Sequence, residues 1–157
     1  MHEYLSQQDA GLIDVGKVAK GIYQAIISSM LNPEFMLHAD FKADPVQLPS
    51  DKATSIALIL NELLQNTIEH AYEGRMSGSL QVRFTEESKQ YVLSIADDGV
   101  GLPEGFSLNS SRHSLGLKII KTMAEADLQG SFRLTNREDG GTLALVTIPK
   151  EGLEDVK

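Results

Sequence analysis

The sequence predicts an α+β fold, a two-layer sandwich in which helices cover one face of a mixed, mainly antiparallel sheet. Three observations carry this expectation. Apolar residues recur at helical spacing in three segments, alternate at strand spacing in two pairs of segments, and form short strand-like stretches between the first two helices. The long loops are rich in Gly, Pro, Ser and Asn, which separates the elements cleanly.

Residues 1–14 are mixed and polar with weak periodicity, and they read as the remnant of an upstream helical linker. Val15, Val18, Ile22, Ala25 (or Ile26) and Met30 then recur at helical spacing and predict a helix over 15–31. Asp14 is its expected N-cap, and Asn32-Pro33 its stop. Phe35–Phe41 and Val46–Leu48 are short apolar stretches bounded by Asp or Pro, and they predict strands. The strongest segment begins at Ser50, where Ser50-Asp51-Lys52-Ala53 is expected to cap a helix running to about Tyr72 and stopped by Gly74. Ser79–Thr85 and Gln90–Ala96 alternate as strands around a turn at Glu86–Lys89. Asp97–Arg112 is expected to be loop. Leu115–Ala126 predicts another helix with Gly116 at its start, and Gly130–Asn136 with Thr142–Ile148 predict a final hairpin. The charged tail from Lys150 is expected to fray. One domain over 15–150 is the resulting expectation, with 151–157 outside it.

Composition narrows the function classes. The 157 residues carry 14 Lys+Arg against 22 Asp+Glu, a net charge of −8, which argues against a nucleic-acid partner because phosphate backbones attract basic faces. With no cysteine, disulfides, thiolate zinc sites and a cysteine nucleophile are excluded. No apolar run approaches the ~20 residues of a membrane span, and no secretory h-region opens the chain, so a cytoplasmic domain without membrane contact is expected. The four histidines, His2, His38, His70 and His113, share no metal-ligand spacing, which sets zinc and iron aside.

Three clusters have residue types that suit chemistry. Glu62, Asn66 and His70 are spaced i, i+4, i+8 and stack along one face of the long helix. A carboxamide oxygen suits Mg²⁺, and a carboxylate one turn away suits orienting or deprotonating a nucleophile. A solvated polar stripe explains the same spacing. The second cluster is Asp97-Asp98-Gly99-Val100-Gly101, where a strand ends in two acids and a glycine turn. Glycines let backbone approach a ligand, and a carboxylate there can accept from an exocyclic amine. A Rossmann loop is excluded because G-x-G-x-x-G is absent, as is the P-loop signature, and an EF-hand would need a closing Glu. A plain Asp-Gly turn remains the simple alternative. In the third cluster, Ser114-Leu115-Gly116-Leu117-Lys118, a glycine opens a helix, which leaves N–H groups and a positive dipole end for an anion. The alternative is a glycine kept for close helix–sheet packing. Gly140-Gly141-Thr142 adds a tight turn into the last strand.

The order of these blocks resembles the GHKL ATP-binding family, which includes histidine kinases, gyrase-type ATPases, Hsp90 and MutL. Asn61–Ala71 matches the N box, Asp97–Gly101 the G1 box, Ser114–Leu117 the G2 box, and Gly141-Thr142 the last block, over about residues 35–150. The helix with its Leu48–Ala53 lead-in and the Ser114–Ile120 segment are most similar to the HisKA_2/HWE type of bacterial sensor histidine kinase. The resemblance implies the Bergerat-type sandwich and Mg²⁺-dependent ATP use. It implies that Asp97 accepts from the adenine amine, helped by Gly99, Gly101 and the Thr142 hydroxyl through water. It implies that Asn66 coordinates Mg²⁺, that Glu62 is the general base or polarising residue, and that His70 lies near the pocket mouth. It further implies that Ser114, Leu115, Gly116 and Leu117 offer backbone N–H groups to the phosphates, and that Pro103–His113 is the ATP lid.

Two departures stand out. Related kinases often carry Lys three residues after the N-box Asn, whereas this chain has Glu69; Arg112, His113 and Lys118 are the candidates to compensate. The phosphoacceptor motif of these kinases is also missing, so the implied partners are a His-bearing dimerisation hairpin outside this chain and a response regulator downstream, with this fragment a monomer. Two further readings are a free-standing anti-sigma factor serine kinase of the same superfamily and a non-catalytic nucleotide-sensing module.

Overall fold

The computed structural model describes residues 11–30, 32–108 and 114–151. Strand β1 (Leu12–Asp14) leads into helix α1 (Val15–Met30), followed by β2 (Met36–Ala43), β3 (Gln47–Pro49) and helix α2 (Ser50–His70). Strands β4 (Ser77–Glu86) and β5 (Gln90–Asp97) form a hairpin, α3 (Ser114–Thr122) continues into a π-helical turn (Met123–Asp127), and β6 (Ser131–Asn136) and β7 (Thr142–Pro149) close the fold.

The main sheet has five strands in the order β2-β4-β5-β7-β6. Only β2 and β4 pair in parallel, because α2 carries the chain across between them, and the other neighbours are antiparallel. Alternation sends Leu80, Val82 and Phe84 of β4, Leu93 and Ile95 of β5, and Val146 and Ile148 of β7 to the buried face. The apolar stripe of α2, Ile56, Ile59, Leu60, Leu63 and Leu64, is buried in the same core, as are Val15, Ala19 and Ile26 of α1 and Leu117 and Ile120 of α3. The expected α+β two-layer sandwich is therefore the observed architecture.

Local signals held in part. Asp14 caps α1, its Oδ1 accepting from the Lys17 N–H at 3.2 Å. Ser50 does not cap α2: Pro49 is the N-cap residue and no side chain closes that end, while Asp51 places its charge in the first turn, where the dipole favours it. The helix ends at His70, close to the expected Tyr72: Ala71 is its C-cap, its N–H donating to the Thr67 carbonyl at 2.9 Å, and Gly74 follows in the left-handed region at φ 73°. The last helical segment covers the expected Leu115–Ala126, but it widens from α to π at Met123, where the Leu128 N–H donates to the Met123 carbonyl at 3.1 Å. Leu12–Asp14, within the segment expected to be a linker, pairs antiparallel with β3. Lys150 is not loose either, since its Nζ lies 2.7 Å from the Glu86 carboxylate across the β4–β5 hairpin.

Candidate active site

The sheet ends and the C-terminal half of α2 enclose an open pocket of about 240 Å³. Asn66, Thr67 and His70 line it from α2, Asp97 from the end of β5, and Thr142 from the start of β7. Gly101 and Phe106 line the front, and Leu117 lines it from α3. Ile95, Leu134 and Ala144 supply an apolar floor.

Asp97 occupies a core-facing position on β5, one alternation beyond Ile95, and its residue is only 4% exposed. Its Oδ1 accepts from the Gly99 N–H at 2.8 Å and from the Thr142 N–H at 3.2 Å. No hydrogen bond from a described residue reaches Oδ2, and the side chain lines the pocket. Burial pushes the Asp97 carboxyl upward from its ordinary value; the two N–H donors and the Arg137 charge oppose this, and neighbouring Asp98 adds to it. Asp98 is used differently, because the alternation turns it to the other side. Its Oδ1 accepts from the Ser79 N–H at 2.8 Å, and Arg75 donates to its carbonyl at 2.6 Å. Only the first acid of the pair belongs to the pocket.

The glycines answer to close approach. A Cβ on Gly99 would meet the Ala71 carbonyl oxygen at 2.0 Å, and the Val100 N–H donates to that same oxygen at 2.7 Å. The loop is thus stitched to the end of α2. Gly101 adopts φ 81°, and the following Leu102 N–H donates to the Asn136 side chain at 2.8 Å. Gly141, at φ 92°, lies against the Asp97 backbone.

Of the residues expected at the phosphate end, Asn66 and Leu117 line the pocket, while Glu62 and Gly116 lie beside it. A Cβ on Gly116 would lie 2.9 Å from Glu62 Oε2, so the Glu62 carboxylate touches the first turn of α3. Asn66 sits one turn on, and its Nδ2 is buried with no hydrogen-bond partner among the described residues. Ser114 begins α3; Leu115 and Lys118 are exposed and do not line the pocket. Arg112 and His113 lie outside the described residues. Of the expected site residues, the pocket brings together Asn66, His70, Asp97, Gly101, Leu117 and Thr142, with Gly99 directly behind Asp97. Sequence reasoning missed the apolar floor and Thr67. The signal for the floor was present, because Ile95 shares the parity of Asp97, and Ala144 that of Thr142.

Residues 51–152 match the family described as histidine kinase-, DNA gyrase B-, and HSP90-like ATPase. The chain belongs to this family. The ATPase-family domain is 39% identical over 103 residues to the sensor histidine kinase PdtaS of Mycobacterium tuberculosis, 65% of this chain but 20% of that protein. It is 31% identical over 132 residues to blue-light-activated histidine kinase 2 of Erythrobacter litoralis, 82% of this chain and 37% of that protein. The solved histidine kinase domain of an Erythrobacter litoralis blue-light-activated kinase superposes with a TM-score of 0.81 at 28% identity, covering 90% of this chain and 68% of that one. The chain therefore spans about 20% of the length of PdtaS. Among the described residues, no helix is long and apolar enough to cross a membrane.

Proposed function

We propose that this ATPase-family domain is the catalytic ATP-binding unit of a sensor histidine kinase, transferring the γ-phosphoryl of Mg-ATP to a His on a separate helical hairpin. The observation that carries the reading is Asp97, a buried carboxylate with Oδ2 open to an apolar pocket. Such a group accepts from an amine edge, and the apolar floor of Ile95, Leu134 and Ala144 suits a purine face. In this reading the adenine amine donates to Asp97, the Thr142 hydroxyl assists through water, and His70 stands at the mouth.

The triphosphate then extends toward Asn66 and the N-terminal turn of α3, where Ser114, Leu115, Gly116 and Leu117 offer backbone N–H groups and the helix dipole favours anions. The residues present fit Mg²⁺. Asn66 lines the pocket and its buried Nδ2 has no hydrogen-bond partner among the described residues, so no bond to that nitrogen stops the carboxamide from turning its oxygen to a cation, with the Glu62 carboxylate one turn away. Such an ion needs only one or two protein oxygens when phosphates and water complete its shell. Bound there, Mg²⁺ would neutralise phosphate charge. In this reading Glu62 takes the proton from the attacking imidazole as the N–P bond forms and ADP leaves with the electrons of the broken P–O bond. Lys118, Arg112 and His113 are the candidates to supply the positive charge that the N box lacks with Glu69 at that position. The partners in this reading are the His-bearing hairpin and, after it, the Asp of a response regulator; the domain acts as a monomer in the cytoplasm.

The test mixes the domain with γ-labelled ATP, Mg²⁺ and an isolated His-bearing hairpin of this kinase type. Label that appears on the hairpin and is lost in acid supports the proposal. No transfer, together with no nucleotide binding by calorimetry, overturns it. Acid-stable label on the Ser of an antagonist protein would instead identify the anti-sigma kinase reading, and binding without transfer to either acceptor the nucleotide-sensing module.

A further inference from the structure

The β6–β7 turn reaches across the mouth of β5. Arg137, 40 residues further along the chain, donates from its guanidinium to the Asp97 carbonyl at 2.7 Å. The origin of that side chain is fixed, because the Arg137 N–H donates to the Gly141 carbonyl at 2.9 Å and the Arg137 carbonyl accepts from the Gly140 N–H at 3.2 Å. Beside it, Asn136 accepts from the Leu102 N–H at 2.8 Å. Arg137 itself does not line the pocket. Its carbonyl contact acts on the first peptide of the ring that Asp97 Oδ1 closes onto the Gly99 N–H, and the direction of that peptide sets where the carboxylate points.

We infer that Arg137 is a positioning residue for base recognition: it holds the Asp97 peptide and carboxylate in the orientation that meets an exocyclic amine. This deepens the kinase reading and rests on its assignment of Asp97 as the amine acceptor. The charged groups around Asp97 support a specific need for this brace. Asp98 follows directly after the strand, Tyr72 faces Asp97 from beyond α2, and His70 and Glu73 line the same pocket. Arg75 is engaged with Asp98, 3.6 Å from its carboxylate and bonded to its carbonyl. Among the described residues, Arg137 is thus the guanidinium that serves Asp97.

An Arg137 that acts only through the Asp97–amine contact matters for a nucleotide bearing that amine and not for one lacking it. The experiment measures dissociation constants of ADP and of purine riboside 5′-diphosphate, which has no exocyclic amine, with Mg²⁺ on the full chain. Wild type, Arg137→Ala and Arg137→Lys are compared, and thermal melts establish that each variant is folded. Loss of one positioned hydrogen bond predicts that Arg137→Ala weakens ADP binding about fivefold. Binding of the amine-free nucleotide stays within error of wild type. Because the contact is made through a single guanidinium nitrogen, Arg137→Lys recovers most of the lost preference. Equal loss for both nucleotides, or no loss, overturns the inference while leaving Asp97 as acceptor. A wild type that binds the two nucleotides equally overturns the acceptor assignment itself, and the inference falls with it.

Discussion

Asp97 takes a place that strand alternation reserves for an apolar side chain, and the molecule bears a cost for it. Burial disfavours its ionised form and raises its pKa above the ordinary value. The sign follows. A folded-state pKa above the unfolded one means that the native state binds more protons between the two values, so stability falls as pH rises through that window and the cost is fully present above it. Asp97→Asn keeps an oxygen for the Gly99 and Thr142 N–H groups and removes the buried charge. The expected outcome is a higher urea midpoint than wild type at pH 7, with the difference shrinking as pH is lowered through the Asp97 titration. The same change should weaken ADP binding about 10- to 100-fold, the worth of a hydrogen bond to a charged group, as read by calorimetry. Gly99 sits at the opposite extreme, since a methyl there meets the Ala71 carbonyl oxygen. Gly99→Ala is expected to cost roughly 2–3 kcal/mol of unfolding free energy, because backbone cannot yield as a flexible side chain does.

Among the elements, α2 joins core and chemistry in one amphipathic segment. Its buried stripe fixes the helix rotation, and that rotation sends Asn66 and His70 to the pocket and Glu62 to the start of α3. The end of α3 is held more loosely by its sequence than by its contacts. Its π turn places Asp127 against the first turn of α2, where the Lys52 Nζ donates to the Asp127 carbonyl at 2.7 Å and Ser55 bonds its carboxylate at 3.2 Å. The chain then leaves through Gln129 at φ 56°, a left-handed conformation that costs a residue with a Cβ. Gln129→Gly is expected to raise stability by about 0.5–1 kcal/mol after the entropy of the added glycine is deducted, measured from denaturant midpoints at unchanged slope.

At the scale of the whole molecule, a chain of net charge −8 has to admit a polyanion under the kinase reading. Long-range repulsion is screened by salt, with a Debye length of about 10 Å at 0.1 M. Local cations near the phosphate end therefore matter most at low ionic strength. Lys118 is exposed on α3, three residues after Leu115. Lys118→Ala is expected to weaken Mg-ATP binding about threefold near 0.02 M salt and to leave it unchanged near 1 M, as titrations across ionic strength would show. An affinity insensitive to this change at every salt concentration would remove Lys118 from the phosphate site.

What the sequence determined by itself is local and periodic. The spacing of Ile56, Ile59, Leu60, Leu63 and Leu64 defines α2, alternation defines β4, β5 and β7, and the order of the acidic, glycine and N-box blocks marks the family. Each is a property of residues within a turn or two of one another, where backbone sterics and side-chain period act directly. The tertiary structure decided how separate segments meet. Whether Asp97 or Asp98 enters the pocket depends on strand parity against a buried face. The apolar floor needs Ile95 and Ala144 to stand opposite each other on paired strands, and Leu134 to follow on the next. Gly99 is needed because Ala71 arrives there, and Arg137 reaches Asp97 only because β7 lies between β5 and β6. The missed cap at Ser50 and the π turn after Thr122 have the same origin. Local preferences there are worth about 1 kcal/mol, and burial of the neighbouring core outweighs them.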